Sequence, residues 1–333
     1  MCTRSLQLAL LIILTWKLTA CSGCANQPEG DAGPEKDGGS SVAGDDAGGL
    51  DDAGRLDDAG AGSFADAGTG GNDAGTPLDG GPGAPTDAGS SVVDAGPAAV
   101  WHPAPGTSWQ WQLTGTVDTS FDVAMYDIDL FDVPADTIAT LKGAGRVVIC
   151  YFSAGSYESW RDDAADLPSA ALGNPLDGWP GERWLDVRNA GVRSVMRARL
   201  DLAVQKGCDG VEPDNVDGYL NNPGFDFGAS DQLDYNRFLA SEAHARGLSV
   251  GLKNDLDQVP ALVSDFDWAL NEECFAYDEC DLLQPFIDAG KAVFNVEYGP
   301  DSLAATVCPS ANALDFDTLI KNLDLDARRV SCR

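Results

Sequence analysis

The sequence predicts an α/β fold, a (β/α)8 TIM-like barrel over residues 101–333, preceded by a signal peptide and a long disordered linker. Three observations lead there. The composition changes sharply near Trp101, leaving about 233 residues, a typical length for one α/β barrel. Beyond that point short apolar runs alternate with amphipathic segments, the pattern of βα units on a parallel sheet. Several of those runs end in carboxylates or amides, and the C-terminal ends of barrel strands form a single mouth.

Residues 1–20 carry Arg4, an apolar run from Leu8 to Trp16, and Leu18-Thr19-Ala20 before Cys21. A charged start, a short apolar core and small residues at a cut site mark a secretory signal, and the run is too short to span a bilayer as a helix. Cys21 in that setting resembles the bacterial lipobox, so it is expected to be lipidated and to tether the chain to the cell envelope, at the outer membrane or cell surface. Residues 21–100 hold eight Asp-Ala-Gly triplets set in Gly, Ser, Pro and Thr, with Phe64 as the one aromatic. Such a segment cannot bury enough apolar surface to offset its chain entropy. As a Gly-rich coil of about 79 residues it would span on the order of 50 Å.

The strands expected in the folded part are 109–113, 123–128, 147–153, 210–214, 249–254, 268–274 and 292–298, with an eighth near 184–187 or 329–332. The segment 192–206 places Val192, Val195, Met196, Leu200 and Ala203 on one stripe and meets a stop at Gly207. Ser230 is placed to cap a helix running to Arg246 before Gly247. Further helices are expected after Pro134, before Asp265, over 278–289 and over 315–323.

The chain carries 53 acids and 21 bases, of which 15 and 4 lie in residues 1–100, leaving the folded part a net charge of about −21. That field argues against nucleic acid and anionic lipid, and suits a cationic partner. With His102 and His244 as the only histidines, a His-based zinc site is not expected, nor is a cofactor. Six cysteines lie in the folded part, an even count that reads as disulfides in an exported protein. Six allow 15 connectivities. Cys274–Cys280 and Cys308–Cys332 are the easy local pairs, and Cys150–Cys208 would then join two neighbouring strands. A monomer is expected.

Strand alternation puts Glu212 and Asp214 on one face and gives Glu272 the same face as Leu270. If Asp214 and Glu272 share the mouth, they supply the two carboxylates of a glycosidase, one held protonated to donate to the leaving oxygen and one ionised. Trp160, Trp179 and Trp184 follow the third strand, where they could stack on sugar faces or pack in the core.

Several strings resemble glycoside hydrolase family 114. They are 126–132 (YDIDLFD), 148–158 (VICYFSAGSYE), 209–219 (DGVEPDNVDGY), 251–254 (GLKN), 271–274 (NEEC) and 294–298 (FNVEY). The resemblance runs from about Trp109 to Cys332. It implies a TIM-barrel endo-α-1,4-polygalactosaminidase that cuts galactosamine-containing, partly cationic exopolysaccharide. It also puts the catalytic pair at Asp214, as nucleophile, and Glu272, as acid/base. Asp127, Asp129, Tyr151, Glu212, Lys253, Asn254, Glu297 and Tyr298 would line the sugar subsites. Glu273 departs from the family's usual Gln. Two other readings fit the same residues. One is a non-catalytic surface lectin for cationic glycan. The other is a carboxylate-metal hydrolase with Asp127, Asp129 and Asp214 around magnesium or calcium.

Overall fold

The computed structural model describes residues 100–333. The expected signal peptide, Cys21 and the expected linker lie outside the described residues. Eight strands run parallel in sequence order: β1 (Trp109–Gln112), β2 (Met125–Asp129), β3 (Val147–Ser153), β7 (Gly210–Asp214), β8 (Ser249–Lys253), β9 (Trp268–Glu272), β10 (Val293–Tyr298) and β11 (Asp317–Lys321). A short β12 (Val330–Ser331) joins β11 antiparallel. Side chains and loop backbone bridge the seam between β1 and β11. Trp109 Nε1 donates to Asp317 O at 2.8 Å, and Leu113 N to Leu325 O at 3.0 Å.

Every residue of β1, β2, β8 and β11 is buried, as strands covered on both faces must be. Inside the barrel Trp109, Trp268 and Phe294 form the lower layer, with Phe294 4.8 Å from Trp109 and 5.5 Å from Trp268. Gly251 makes room for it, because a Cβ there would stand 2.2 Å from the Trp268 ring. Outside the sheet pack α1 (Ala135–Gly143), α2 (Ala190–Lys206), α3 (Ala229–His244), α4 (Val259–Leu262), α5 (Cys274–Tyr277), α6 (Gln284–Asp288) and α7 (Ala304–Ala313). Disulfides Cys150–Cys208, Cys274–Cys280 and Cys308–Cys332 fasten this layer.

The structure corrects four expectations. Residues 315–323 form strand β11, not a helix, and supply the eighth barrel strand; a short run buried on both faces has no period that separates strand from helix. Residues 182–185 become β6 of a separate antiparallel sheet with β4 (Ser156–Glu158) and β5 (Leu172–Pro175). Helix α3 starts two residues early: Gly228 is its N-cap, and the Gly228 N–H donates to Asp231 Oδ2 at 3.0 Å. Segment 278–289 divides into a 3-10 turn (Cys280–Leu283) and α6, whose second residue is Pro285.

Candidate active site

The site is assembled around one ammonium group. Lys253 ends β8 and is buried, with its Nζ 2.9 Å from Glu212 Oε1, 3.2 Å from Asp214 Oδ1 and 3.4 Å from Glu272 Oε2. Burial alone would push Lys253 down, but the carboxylates of Asp214, Glu212 and Glu272 outweigh it and hold the amine well above its usual value. The Trp111 ring lies 4.8 Å from Nζ and its indole N–H donates to Glu212 Oε2 at 3.0 Å. The lysine is thus a fixed, permanently charged post between three strand ends.

The three carboxylates differ in access. The Glu212 side chain is 0% exposed, whereas those of Asp214 and Glu272 are 19% and 26% exposed. The buried one neutralises the lysine, and the two partly open ones face the mouth. Asp214 is held by the Tyr151 hydroxyl at Oδ2, 3.1 Å, and by the Asn215 backbone N–H at Oδ1, 2.7 Å. Glu272 accepts from the Tyr298 hydroxyl and from Asn254 Nδ2 at 3.2 Å. Asn254 Oδ1 in turn takes the Glu272 backbone N–H at 3.0 Å. The short strand register explains the meeting: Tyr151 pairs with Glu212, Ser153 with Asp214, and Val296 with Glu272, so all lie in the uppermost rows of the barrel.

Asp214, Glu272, Tyr151, Lys253, Asn254 and Tyr298 are therefore brought together. The other four expected subsite residues are not at the mouth. Asp127 is buried beside Glu212; burial first, then the Glu212 charge, raise its carboxyl well above the usual range, and neither of its oxygens has a hydrogen-bond partner among the described residues. Asp129 is consumed by Arg161, with contacts of 3.0 and 2.7 Å, and by the backbone N–H groups of Phe131 and Asp132, both at 2.8 Å. Glu212 is the lysine's counter-ion. Glu297 is buried and accepts the Phe275 N–H at 3.1 Å, fixing the loop after Glu272. Among the described residues no three His, Cys, Asp or Glu side chains are grouped to hold a metal ion, so Asp127, Asp129 and Asp214 do not form such a set. Glu273 lies past its strand in left-handed backbone, φ 62°.

Sequence reasoning missed Trp111, Asn215 and the acids Asp217 and Asp255. The signal for Trp111 was that a buried indole N–H needs an acceptor. Asp255, buried and close to Asp217, is pushed up to about 8, and Asp217 to about 6, in both cases chiefly by burial. Asp255 accepts from Asn236 Nδ2 at 2.8 Å and from the Tyr219 hydroxyl at 3.2 Å.

Known proteins are similar to this chain to different degrees. The crystal structure of Aspergillus fumigatus Ega3, in complex with galactosamine, is 46% identical, covers 70% of this chain and 98% of its own, and has a TM-score of 0.68. The glycoside hydrolase domain of PelA from Pseudomonas aeruginosa shares the fold at 14% identity, covering 67% of this chain and 97% of its own, with a TM-score of 0.51. An uncharacterised protein of Deinococcus radiodurans is 24% identical over 255 residues, 64% of this chain and 82% of the relative. Residues 90–333 match the sequence model of glycoside-hydrolase family GH114. A barrel whose mouth presents two part-open carboxylates, matched over its full length by that model, is a glycosidase, and the chain belongs to glycoside-hydrolase family GH114.

Proposed function

We propose that the protein is an endo-acting hydrolase of α-1,4-linked, galactosamine-containing polysaccharide, with Asp214 as nucleophile and Glu272 as acid/base. The observation that carries this is the pairing of both open carboxylates on Lys253. Their contacting oxygens can be no farther apart than the sum of the two distances, 6.6 Å. That upper bound includes the separation of about 5–5.5 Å used by retaining enzymes. The galactosamine bound to Ega3 supplies the substrate class.

In this reading Glu272, oriented by Tyr298 and Asn254, gives its proton to the glycosidic oxygen as the C1–O bond breaks. Asp214, its charge held by Lys253, Tyr151 and the Asn215 N–H, bonds to C1. The Glu272 carboxylate then takes a proton from water, which attacks C1 and releases Asp214. Lys253 stays charged throughout and sets the geometry. The folded part's net charge of about −21 attracts a cationic polymer. We place the enzyme at the cell envelope, held by lipid on Cys21 with the linker giving reach. Among the described residues no helix is long and apolar enough to cross a membrane.

The test is mass spectrometry of products from partly deacetylated α-1,4-galactosamine oligomers. Shorter oligomers from the parent are expected, with about a thousandfold loss in Asp214→Asn and in Glu272→Gln, the scale of a lost acid–base or nucleophilic group. Undiminished cleavage by either variant would defeat the assignment. Labelled palmitate incorporated by the parent and not by Cys21→Ser tests the anchor.

A further inference from the structure

We propose that Trp160 and Trp179 form a remote stacking subsite for the polymer, at the tip of a ribbon that leaves the catalytic mouth; this rests on the polysaccharide-hydrolase reading above. The ribbon is β4 paired with β6, and it begins at the chemistry itself. The Gly155 N–H donates to Asp214 O at 3.0 Å, and Gly155 O accepts from Leu185 N at 2.9 Å. From there the strands run outward through Ser156 opposite Trp184 and Glu158 opposite Glu182, and Ser159 N still bonds Gly181 O at 3.1 Å. Five residues of extended chain carry Trp160 at most about 17 Å from Gly155. A polymer lying in the mouth reaches that tip.

The tryptophans there are unlike the others. Trp109, Trp111, Trp184 and Trp268 are buried in the core, whereas Trp160 and Trp179 are 52% and 49% exposed. Neither sits on a loose loop. Trp160 packs on Gly181, whose φ of 97° favours glycine and where an added Cβ would stand 2.8 Å from Ser159 Oγ and 3.1 Å from the indole. Trp179 is fixed by a hydrogen-bonded turn, with its N–H on Leu176 O and its carbonyl accepting from Glu182 N, both at 3.1 Å. Two large, half-exposed rings on hydrogen-bonded backbone beside a glycosidase mouth can cover sugar faces at a small ordering cost.

The surrounding charge selects an amino sugar. Asp162 and Asp177 are exposed on this tip. Of the ribbon's two arginines, Arg161 is buried and paired with Glu158 and Asp129, whereas Arg183 is exposed and donates to the carbonyls of Gly173 and Leu172. An ammonium near these rings gains cation–π attraction as well as the field of the two carboxylates.

The experiment measures binding and cleavage separately, using the mature chain. Binding of partly deacetylated α-1,4-galactosamine polymer is measured by affinity electrophoresis in the Glu272→Gln background, with Trp160→Ala, Trp179→Ala and the Tyr replacements added to it. At least tenfold weaker binding is expected for the Ala variants, and recovery for Trp160→Tyr and Trp179→Tyr, which keep a stacking ring. Cleavage is measured with Glu272 intact, as the ratio of kcat/KM on polymer to kcat/KM on a tetramer, and that ratio should fall at least tenfold in the Ala variants. Equal polymer binding with and without the tryptophans overturns the subsite. Tryptophan-dependent binding by a parent chain that cuts nothing would uphold the subsite while defeating the hydrolase assignment.

Discussion

Replacing Lys253 by Met removes the only cation among three carboxylates, and the outcome can be worked from the distances. At contacts of 2.9, 3.2 and 3.4 Å each attraction is on the order of 5 kcal/mol at an effective dielectric of 20. Most of that sum is offset by the desolvation of a buried ammonium. The net loss expected is the cost of stranding a buried charge, about 3–5 kcal/mol. It falls chiefly on Glu212, which has no exposure; burial already raises its carboxyl to about 7, so once the lysine is gone it must take up a proton. Asp214 and Glu272 can rehydrate through the mouth.

A double-mutant cycle isolates that term. Glu212→Gln leaves Lys253 with two carboxylates and should cost less than Lys253→Met. Combining the two removes both buried charges, so the double variant should be more stable than additivity predicts by about 2 kcal/mol. Guanidinium unfolding with an unchanged slope is the assay. Activity should not recover with stability, because Asp214 and Glu272 have lost their shared cation; we expect at least about a hundredfold deficit in kcat/KM. A Lys253→Met cost below about 1 kcal/mol, or strict additivity with Glu212→Gln, would refute the reasoning.

The disulfides should separate stability from activity. Opening Cys150–Cys208, at a spacing of 58 residues, should cost about 4 kcal/mol, and opening Cys274–Cys280, at a spacing of 6, about 2 kcal/mol. Because the small loop starts two residues after Glu272, kcat should rank the two losses in the opposite order to thermal unfolding. A pH effect follows from Asp255, whose folded value of about 8 lies above the usual 3.8. Between about pH 4 and pH 8 the folded state keeps a proton the unfolded chain has lost, so stability falls as pH rises through that window. Asp255→Asn should escape the fall, gaining on the parent by on the order of 3 kcal/mol from pH 5 to pH 8 in guanidinium melts.

What was legible in the sequence was what local pattern encodes. The strands read from Trp109, Val147, Gly210 and Trp268 are each bounded by turn residues and enriched in apolar or β-branched side chains, and they stand in the structure. Strand β11 was misread because Asp317–Lys321 is buried on both faces and offers no alternation. Helix α7 escaped notice because Pro309 lies inside it. At the site, alternation placed Glu212 and Asp214 on one face, and both touch Lys253. It could not say how deep each carboxylate lies. Depth along a barrel depends on the shear between neighbouring strands, a property of the closed sheet that no single strand carries. The family resemblance implied that Asp129 and Glu297 line sugar subsites, and the structure places Arg161 on the first and the Phe275 N–H on the second.

The backbone beyond the strands completes the site. Asn215, Asn254 and Glu273 directly follow Asp214, Lys253 and Glu272, and all three have positive φ, 60°, 48° and 62°. Such a residue turns the chain out of its strand at once, leaving the preceding side chain as the last one aimed at the mouth. It also brings polar groups back onto the carboxylates: the Asn215 N–H on Asp214, and the Asn254 amide on Glu272. Asparagine tolerates this conformation, whereas glutamate adopts it at a cost of about 1–2 kcal/mol. The rest of the barrel must over-determine the turn at Glu273, and Glu297 shows how, by capping the adjoining Phe275 N–H from the next strand. Two acids read as substrate ligands thus act one layer down: Glu212 fixes the charge of the site and Glu297 fixes its backbone.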